Sequence, residues 1–406
     1  MAAVDPSPSP DGQVDRAPLP PEVRRAVAAV VIARVGINAG IRVVYPFPPA
    51  IARGLGTTLD RVADLTALGS IVGVLAPLAS RLAERVGRRA VMLGALAATL
   101  AGAATLGVAP SVAVAAVGFA LIGLGKPGFD VPMQGWFGAR VPYERRGRVL
   151  GTVELTWAGG LLASVPLSGW LIARTSWRAQ FAVVAVLVVV GLVAVTTLMD
   201  GQDHRAEGRR ADLRWTRPRI ALLVVVGLFS LAAQGLFVVY GAWLETDIGL
   251  DVAGIGLFTL VVVGSELAGE GWVAAVGDRV GLRRSVIGAL VVSAVAYAAL
   301  GLVGGALAGA IAVVVVWFVG YEVSIVASIP LATELGGAGR DRLLGAMVAV
   351  IAIARAAGAL IAPALFTAGG IALAGAAAAA CAAVGAVVMA VAVPEPADVP
   401  DGGATP

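Results

Sequence analysis

The sequence predicts an all-α integral membrane protein of twelve transmembrane helices, arranged as two six-helix pseudo-symmetric bundles. Three observations carry that reading: extreme apolarity, apolar runs of membrane-crossing length, and an internal repeat. Of 406 residues 59% are hydrophobic and 14% charged, and the mean hydropathy is +0.90. A soluble core of this size cannot hide so much apolar side chain.

A helix needs about 20 mostly apolar residues to cross the hydrocarbon of a bilayer. Such runs extend from Val23 to Ala50, Arg61 to Ser80, Ala90 to Val108, Ser111 to Gly138, Val149 to Leu171 and Arg178 to Met199. After a polar stretch, "DGQDHRAEGRRADLRWTRPR" (200–219), six more follow. They are Ile220 to Trp243, Val252 to Gly277, Ser285 to Gly304, Leu307 to Leu331, Leu343 to Thr367 and Ile371 to Val393. Domain organisation follows directly: a disordered tail (1–22), a first bundle (23–199), a linker (200–219), a second bundle (220–393) and a tail (394–406).

Orientation comes from the basic residues, because positive charge in short loops stays on the cytoplasmic side. With the N-terminus inside, 22 of the 30 basic residues fall in cytoplasmic segments, 4 outside and 4 within spans. Both termini, the linker and both tails are then cytoplasmic, in a plasma (inner) membrane. The net charge of +4 reflects this loop bias and implies no nucleic-acid partner. The first residues lack a basic n-region and cleavage site, so no signal peptide is expected. One cysteine, Cys381, and one histidine, His204, offer no disulfide framework, no metal or thiol site and hence no cofactor.

The halves resemble one another. "SRLAERVGRR" (80–89) follows the second span and "AAVGDRVGLRR" (274–284) the eighth, so Glu84 and Asp278 correspond at an offset of 194. The same offset carries "RVLG" (148–151), opening the fifth span, onto "RLLG" (342–345), opening the eleventh. Two landmarks sharing one offset mark a true internal repeat.

The stretch 80–89 resembles the loop pattern Gly-x-Leu-Ala-Asp-Arg-x-Gly-Arg-Arg of the major facilitator superfamily. Ser80 stands where glycine is usual and Glu84 where aspartate is usual, while the second copy keeps Asp278, Arg279, Gly281 and Arg283. "VPYERRGRVLGTVELTW" (141–157) and "SVPLSGWLI" (164–172) are similar to the drug and sugar efflux branch, including arabinose-efflux permeases. Its Gly-rich fifth-span motif is reduced here to Pro166 and Gly169, and the arginine expected early in the fourth span is absent. The resemblance implies a secondary transporter working as a monomer by alternating access, with spans 3, 6, 9 and 12 outside a central cavity.

For the loops, elementary electrostatics suggests a cytoplasmic latch. Glu84 can meet the N-terminal end of the eleventh span, near Arg342, and Asp278 the fifth, near Arg148. Arg85, Arg88, Arg279, Arg283 and Glu270 complete the expected network.

Charges inside the membrane are costly and default to function. They are Arg34 and Arg42 in the first span, Lys126 and Asp130 in the fourth, Glu154 in the fifth, Glu266 and Glu270 in the eighth, Glu322 in the tenth and Arg355 in the eleventh. None falls in spans 3, 6, 9 or 12. Arg34, Asn38 and Arg42 lie at i, i+4 and i+8 and form one polar stripe. Arg34 is about 15 Å into its helix. Through the repeat Glu322 maps to position 128, so it is expected to face Lys126 and Asp130.

Lys126, the sole lysine, either pairs with Asp130 at i, i+4 or acts as a titratable cation, a role arginine cannot fill. Glu154 and Glu322 lead the proton-coupling candidates, followed by Asp130, with Glu266 and Glu270 one turn apart. Arg34 and Arg355 either bind an anionic substrate or neutralise these acids. Asn38, Tyr45, Gln134, Trp157, Gln234 and Tyr240 are available to shape a pocket, while Trp170, Trp177 and Trp243 read as interface anchors. No histidine and no paired nucleophile and base lie in the spans, which argues against an enzyme. The expected function is proton-coupled export of a small organic molecule; the alternative is import, or proton symport, of a small organic anion through Arg34 and Arg355.

Overall fold

A computed structural model describes residues 19–141, 149, 152–200 and 214–394. Every regular element among them is helical: α1 (Pro21–Arg42), α2 (Pro48–Leu55), α3 (Leu59–Ile71), α4 (Ala76–Val86), α5 (Arg88–Val108), α6 (Val112–Arg140), α7 (Thr156–Arg174), α8 (Ala179–Leu198), α9 (Arg217–Thr246), α10 (Val252–Val280), α11 (Leu282–Ala299), α12 (Leu307–Gly336) and α13 (Arg340–Ala392). Nine helical stretches among the described residues are long and apolar enough to cross a bilayer. In lipid the backbone must satisfy its own hydrogen bonds, and helices do so.

Proline and glycine decide where the observed helices depart from the expected spans. The first span ends early, at Arg42, because Pro46 and Pro48 supply no N–H to a continuing helix; Pro48 instead opens α2. The second is broken by a 3-10 turn at Val72–Leu75, and a proline falls in the first turn of α4. The two last spans form one helical run, α13, whose backbone leaves helical conformation at Gly369 and Gly370.

The repeat survives as built structure. Gly87 and Gly281, 194 residues apart, both adopt positive φ (97° and 90°, with ψ 144° and 138°) and each precedes the helix that follows its loop. A side chain is strained there, so the glycines are required. Arg89 donates to the carbonyls of Val195 (3.4 Å) and Thr196 (2.6 Å) at the end of α8. Arg283 donates to Ala390 O near the end of α13. Donors and acceptors repeat with the same offset, and each arginine serves the negative end of a helix dipole.

Helix α1 packs on α7 and α8, and α5 on α6 and α8; farther along, α9 packs on α13, and α11 on α12 and α13. Contacts between the two sets run through α7 with α10, α3 with α13 and α2 with α9. Small residues bring the backbones together: a Cβ on Gly169 would lie 2.9 Å from Val252 O, and one on Gly241 would overlap Pro46 O. Tyr45 stacks on Phe237 at 5.6 Å, and Arg53 pairs with Glu245 at 2.7 Å, so this end is sealed. At the end bearing the arginine-rich loops α4 buries only Ala83 among its described residues, and Trp272 and Val280 in the last turns of α10 are exposed.

Two of the three expected interface tryptophans belong to the protein core. Trp170 is half-exposed, whereas Trp177 and Trp243 are buried. Trp177 meets Phe181 edge-on and lies so close over Gly54 that no side chain fits there, because α2 folds back across its position.

Candidate functional site

The polar stripe of α1 runs along the backbone that opens the fifth span. Arg34 donates to Val153 O (2.8 Å), Asn38 to Thr156 O (3.0 Å) and Arg42 to Trp157 O (2.9 Å). A turn at Leu155 interrupts the helix between residues 152–154 and α7. Gly160 permits the close approach, since a Cβ there would lie 2.7 Å from the Asn38 side chain.

Arg34 is also the node of an ion network. Its guanidinium donates to both oxygens of Asp130 (2.8 and 3.2 Å) and to Glu154 (3.0 Å). Lys126 donates to Asp130 at 2.8 Å, so the i, i+4 pair read from the sequence forms. Asp130 lies between Pro127 and Pro132, whose missing N–H groups leave carbonyls of α6 without their usual helical donors near the charges. Arg34 is 2% exposed, whereas Glu154 is half-exposed.

A second pair joins α1 to α10. Arg42 donates through both terminal nitrogens to Glu266, and both side chains are buried. Two fork-shaped bonds between fully buried partners offset much of their desolvation.

Around α12 the polar groups are less complete. Glu322 is 4% exposed; its Oε2 has no hydrogen-bond partner, and it enters none of the ion pairs found among the described residues. Both side-chain polar atoms of the buried Gln234 are likewise unpartnered. Arg355 donates once, to the Tyr321 hydroxyl at 2.9 Å. Glu322 packs against Gly269 of α10, and the charges acting on it are those of Glu266, Glu270, Arg42 and Arg355. Lys126 and Asp130, which Glu322 is expected to face, are engaged otherwise: Asp130 accepts from both Arg34 and Lys126.

Of the other anticipated pocket residues, Tyr45 and Tyr240 are buried, Gln134 is exposed and Trp157 is half-buried. Among the loop residues, Glu84, Arg85, Arg279 and Arg342 are exposed and Glu270 is half-buried; Arg88 lies against Gly135 of α6, and Arg283 serves the end of α13. Arg148 and the side chain of Asp278 lie outside the described residues. Sequence reasoning missed Tyr321 as the partner of Arg355, for which no sequence signal exists. It also missed Arg89, which the 194-residue offset from Arg283 would have revealed.

A helical protein with ionised groups buried between its helices invites comparison with known transporters. The sequence model of the Major Facilitator Superfamily matches residues 30–334. The chain belongs to the Major Facilitator Superfamily. It is therefore a multi-pass membrane protein of a transporter family, not an enzyme. The chain is 29% identical over 338 residues to the transcription regulatory protein OpdE of Pseudomonas aeruginosa, covering 78% of this chain and 80% of that one. It is 28% identical over 254 residues to the class C tetracycline resistance protein of Escherichia coli, covering 56% of this chain and 63% of that one. An MFS-type transporter of Mycobacterium tuberculosis, Rv1877, is 30% identical over 186 residues, 45% of this chain; the match spans only 27% of the mycobacterial protein.

Proposed function

We propose that this superfamily member is a proton-coupled exporter of a small organic molecule that works by alternating access, as a monomer in the plasma membrane with both termini cytoplasmic. Twelve crossings are supported by the nine long spans, by α1, by the α3–α4 pair and by the division of α13 at Gly369 and Gly370. The pattern of helix contacts supports two bundles, 23–199 and 220–393, meeting along α7–α10 and α3–α13. A latch of Glu84 and Asp278 onto the opposite half, on the arginine-rich side, would hold that side shut in one state of the cycle.

The observation that carries proton coupling is Glu322. An ionised carboxylate this buried, with no partner, costs several kcal/mol, and a bound proton removes that cost. Glu154, whose side chain is half-exposed, is our candidate for exchanging protons with solvent. The name of the tetracycline resistance relative supports outward movement. The test is protein in liposomes loaded with a pH-sensitive dye, with tetracycline heading a substrate panel under an imposed proton gradient. Substrate-driven proton flux is expected in the wild type and lost in Glu322→Gln or Glu154→Gln. Substrate movement without proton movement would overturn the coupling.

A second reading, proton symport of a small organic anion, draws on Arg355, whose sole hydrogen bond among the described residues goes to a neutral hydroxyl. Arg34, the other candidate, already serves Asp130 and Glu154. A proton and an anion attract one another in a shared cavity, so this reading gives co-transport where export gives exchange.

A further inference from the structure

Trp157 stands among three cations. Arg42 Cζ lies 4.4 Å from the centre of its ring, Lys126 Nζ 4.9 Å and Arg355 Cζ 5.6 Å. Like charges crowded round one ring repel unless each is neutralised, and here the neutralisation is uneven. Arg42 has Glu266 to itself, although its Nε is buried without an acceptor. Lys126 shares Asp130 with Arg34 and spends one of its three N–H donors there. Arg355 enters no ion pair among the described residues and spends one donor on Tyr321.

Accessibility follows the same division. Arg42 is sealed at 2% exposure, whereas Lys126 is 30% exposed and Arg355 and Trp157 are half-buried. The reachable, under-neutralised cations therefore come from α6 and α13, and both lie within 5.6 Å of the centre of the Trp157 ring. The carboxylates nearby do not make this a cation site: Asp130, Glu154 and Glu266 are each held by an arginine, and Glu322 is buried.

We propose that Lys126, Trp157 and Arg355 bind a small aromatic carboxylate. Its carboxylate sits between the lysine ammonium and the planar guanidinium, whose fork matches two oxygens, and its ring lies against the indole. The two cations belong to different halves of the chain, so the bound anion draws those halves together around it. This deepens the transporter reading of the same cavity and rests on that reading, but it does not depend on the direction of transport.

Calorimetric titration of the purified full-length protein with benzoate and with indole-3-acetate tests the site, using benzamide and indole-3-acetamide as neutral isosteres. Both carboxylates are expected to bind, each about tenfold or more tighter than its amide. Arg355→Gln and Lys126→Gln should each weaken binding by about tenfold, with Arg355→Lys recovering part of the loss. Thermal unfolding of each variant separates lost binding from lost folding. The proposal is overturned if neither carboxylate binds the wild type at millimolar concentration, if the amides bind as well, or if a folded Arg355→Gln protein keeps full affinity. The transporter reading fails separately, on the absence of substrate-driven flux in liposomes for any compound of the panel.

Discussion

The two polar clusters at the centre of the molecule are built to opposite standards. Around Arg34, in the first half of the chain, the donors meet acceptors: two carboxylates and a carbonyl converge on one guanidinium, and Lys126 donates to one of those carboxylates. Around Glu322, in the second half, the carboxylate, Gln234 and Arg355 are left with unmet hydrogen-bonding capacity. A complete network braces helices, since breaking it strands a charge in a low-dielectric interior. An incomplete one is unstable until something arrives to complete it, and a transporter has two such visitors, the proton and the substrate. On the reading proposed above, Arg34 braces the first cluster, whereas Glu322 and Arg355, with the more exposed Glu154 and Lys126 at the rim of that cluster, carry the chemistry.

The strongest way to break that contrast is to remove Arg34. Arg34→Ala leaves Asp130 and Glu154 without their shared cation, and a loss of about 3–5 kcal/mol is expected, seen as a lower unfolding temperature in detergent. A small effect would mean that the first cluster is not a brace. Glu322→Gln should behave in the opposite manner: folding is kept, with stability changed by about 1 kcal/mol or less, while proton flux falls by at least about tenfold. Should Glu322→Gln unfold the protein and Arg34→Ala spare it, the assignment of the two clusters is reversed.

Smaller effects sharpen the symmetry against which this contrast stands. Gly87→Ala and Gly281→Ala each force a side chain into positive φ, at an expected cost of about 1–3 kcal/mol, similar in the two copies. Unequal losses would show that one loop has been released from the repeat. The smallest change belongs to Arg89→Ala and Arg283→Ala, about 0.3–1 kcal/mol each, because both arginines serve partly exposed helix ends. Matched unfolding curves check both pairs.

Much of the site was legible beforehand. The spacing of Arg34, Asn38 and Arg42 placed them on one face, and all three do reach the same partner backbone. The spacing of Lys126 and Asp130 allows a pair as one of two readings, and the pair forms. Glu322 was recognised as a buried acid, yet its surroundings were misjudged. The repeat maps it by position onto the fourth span, whereas its environment comes from α10, through Gly269. Local spacing is a property of one helix, but counter-charge is a property of the helices that happen to pack beside it.

By itself the sequence determined membrane residence, the helical class, the repeat and the inventory of buried charge, because apolarity, helical period and charge cost act within one segment. Only the tertiary structure decided which acid each base neutralises, that Arg283 serves the end of its own half's last helix, and that Trp157 stands among cations from both halves. Those outcomes depend on distances of a few ångströms between segments up to about two hundred residues apart. Electrostatic pairing in a low dielectric is steep enough over such distances to choose one partner and leave another unmet.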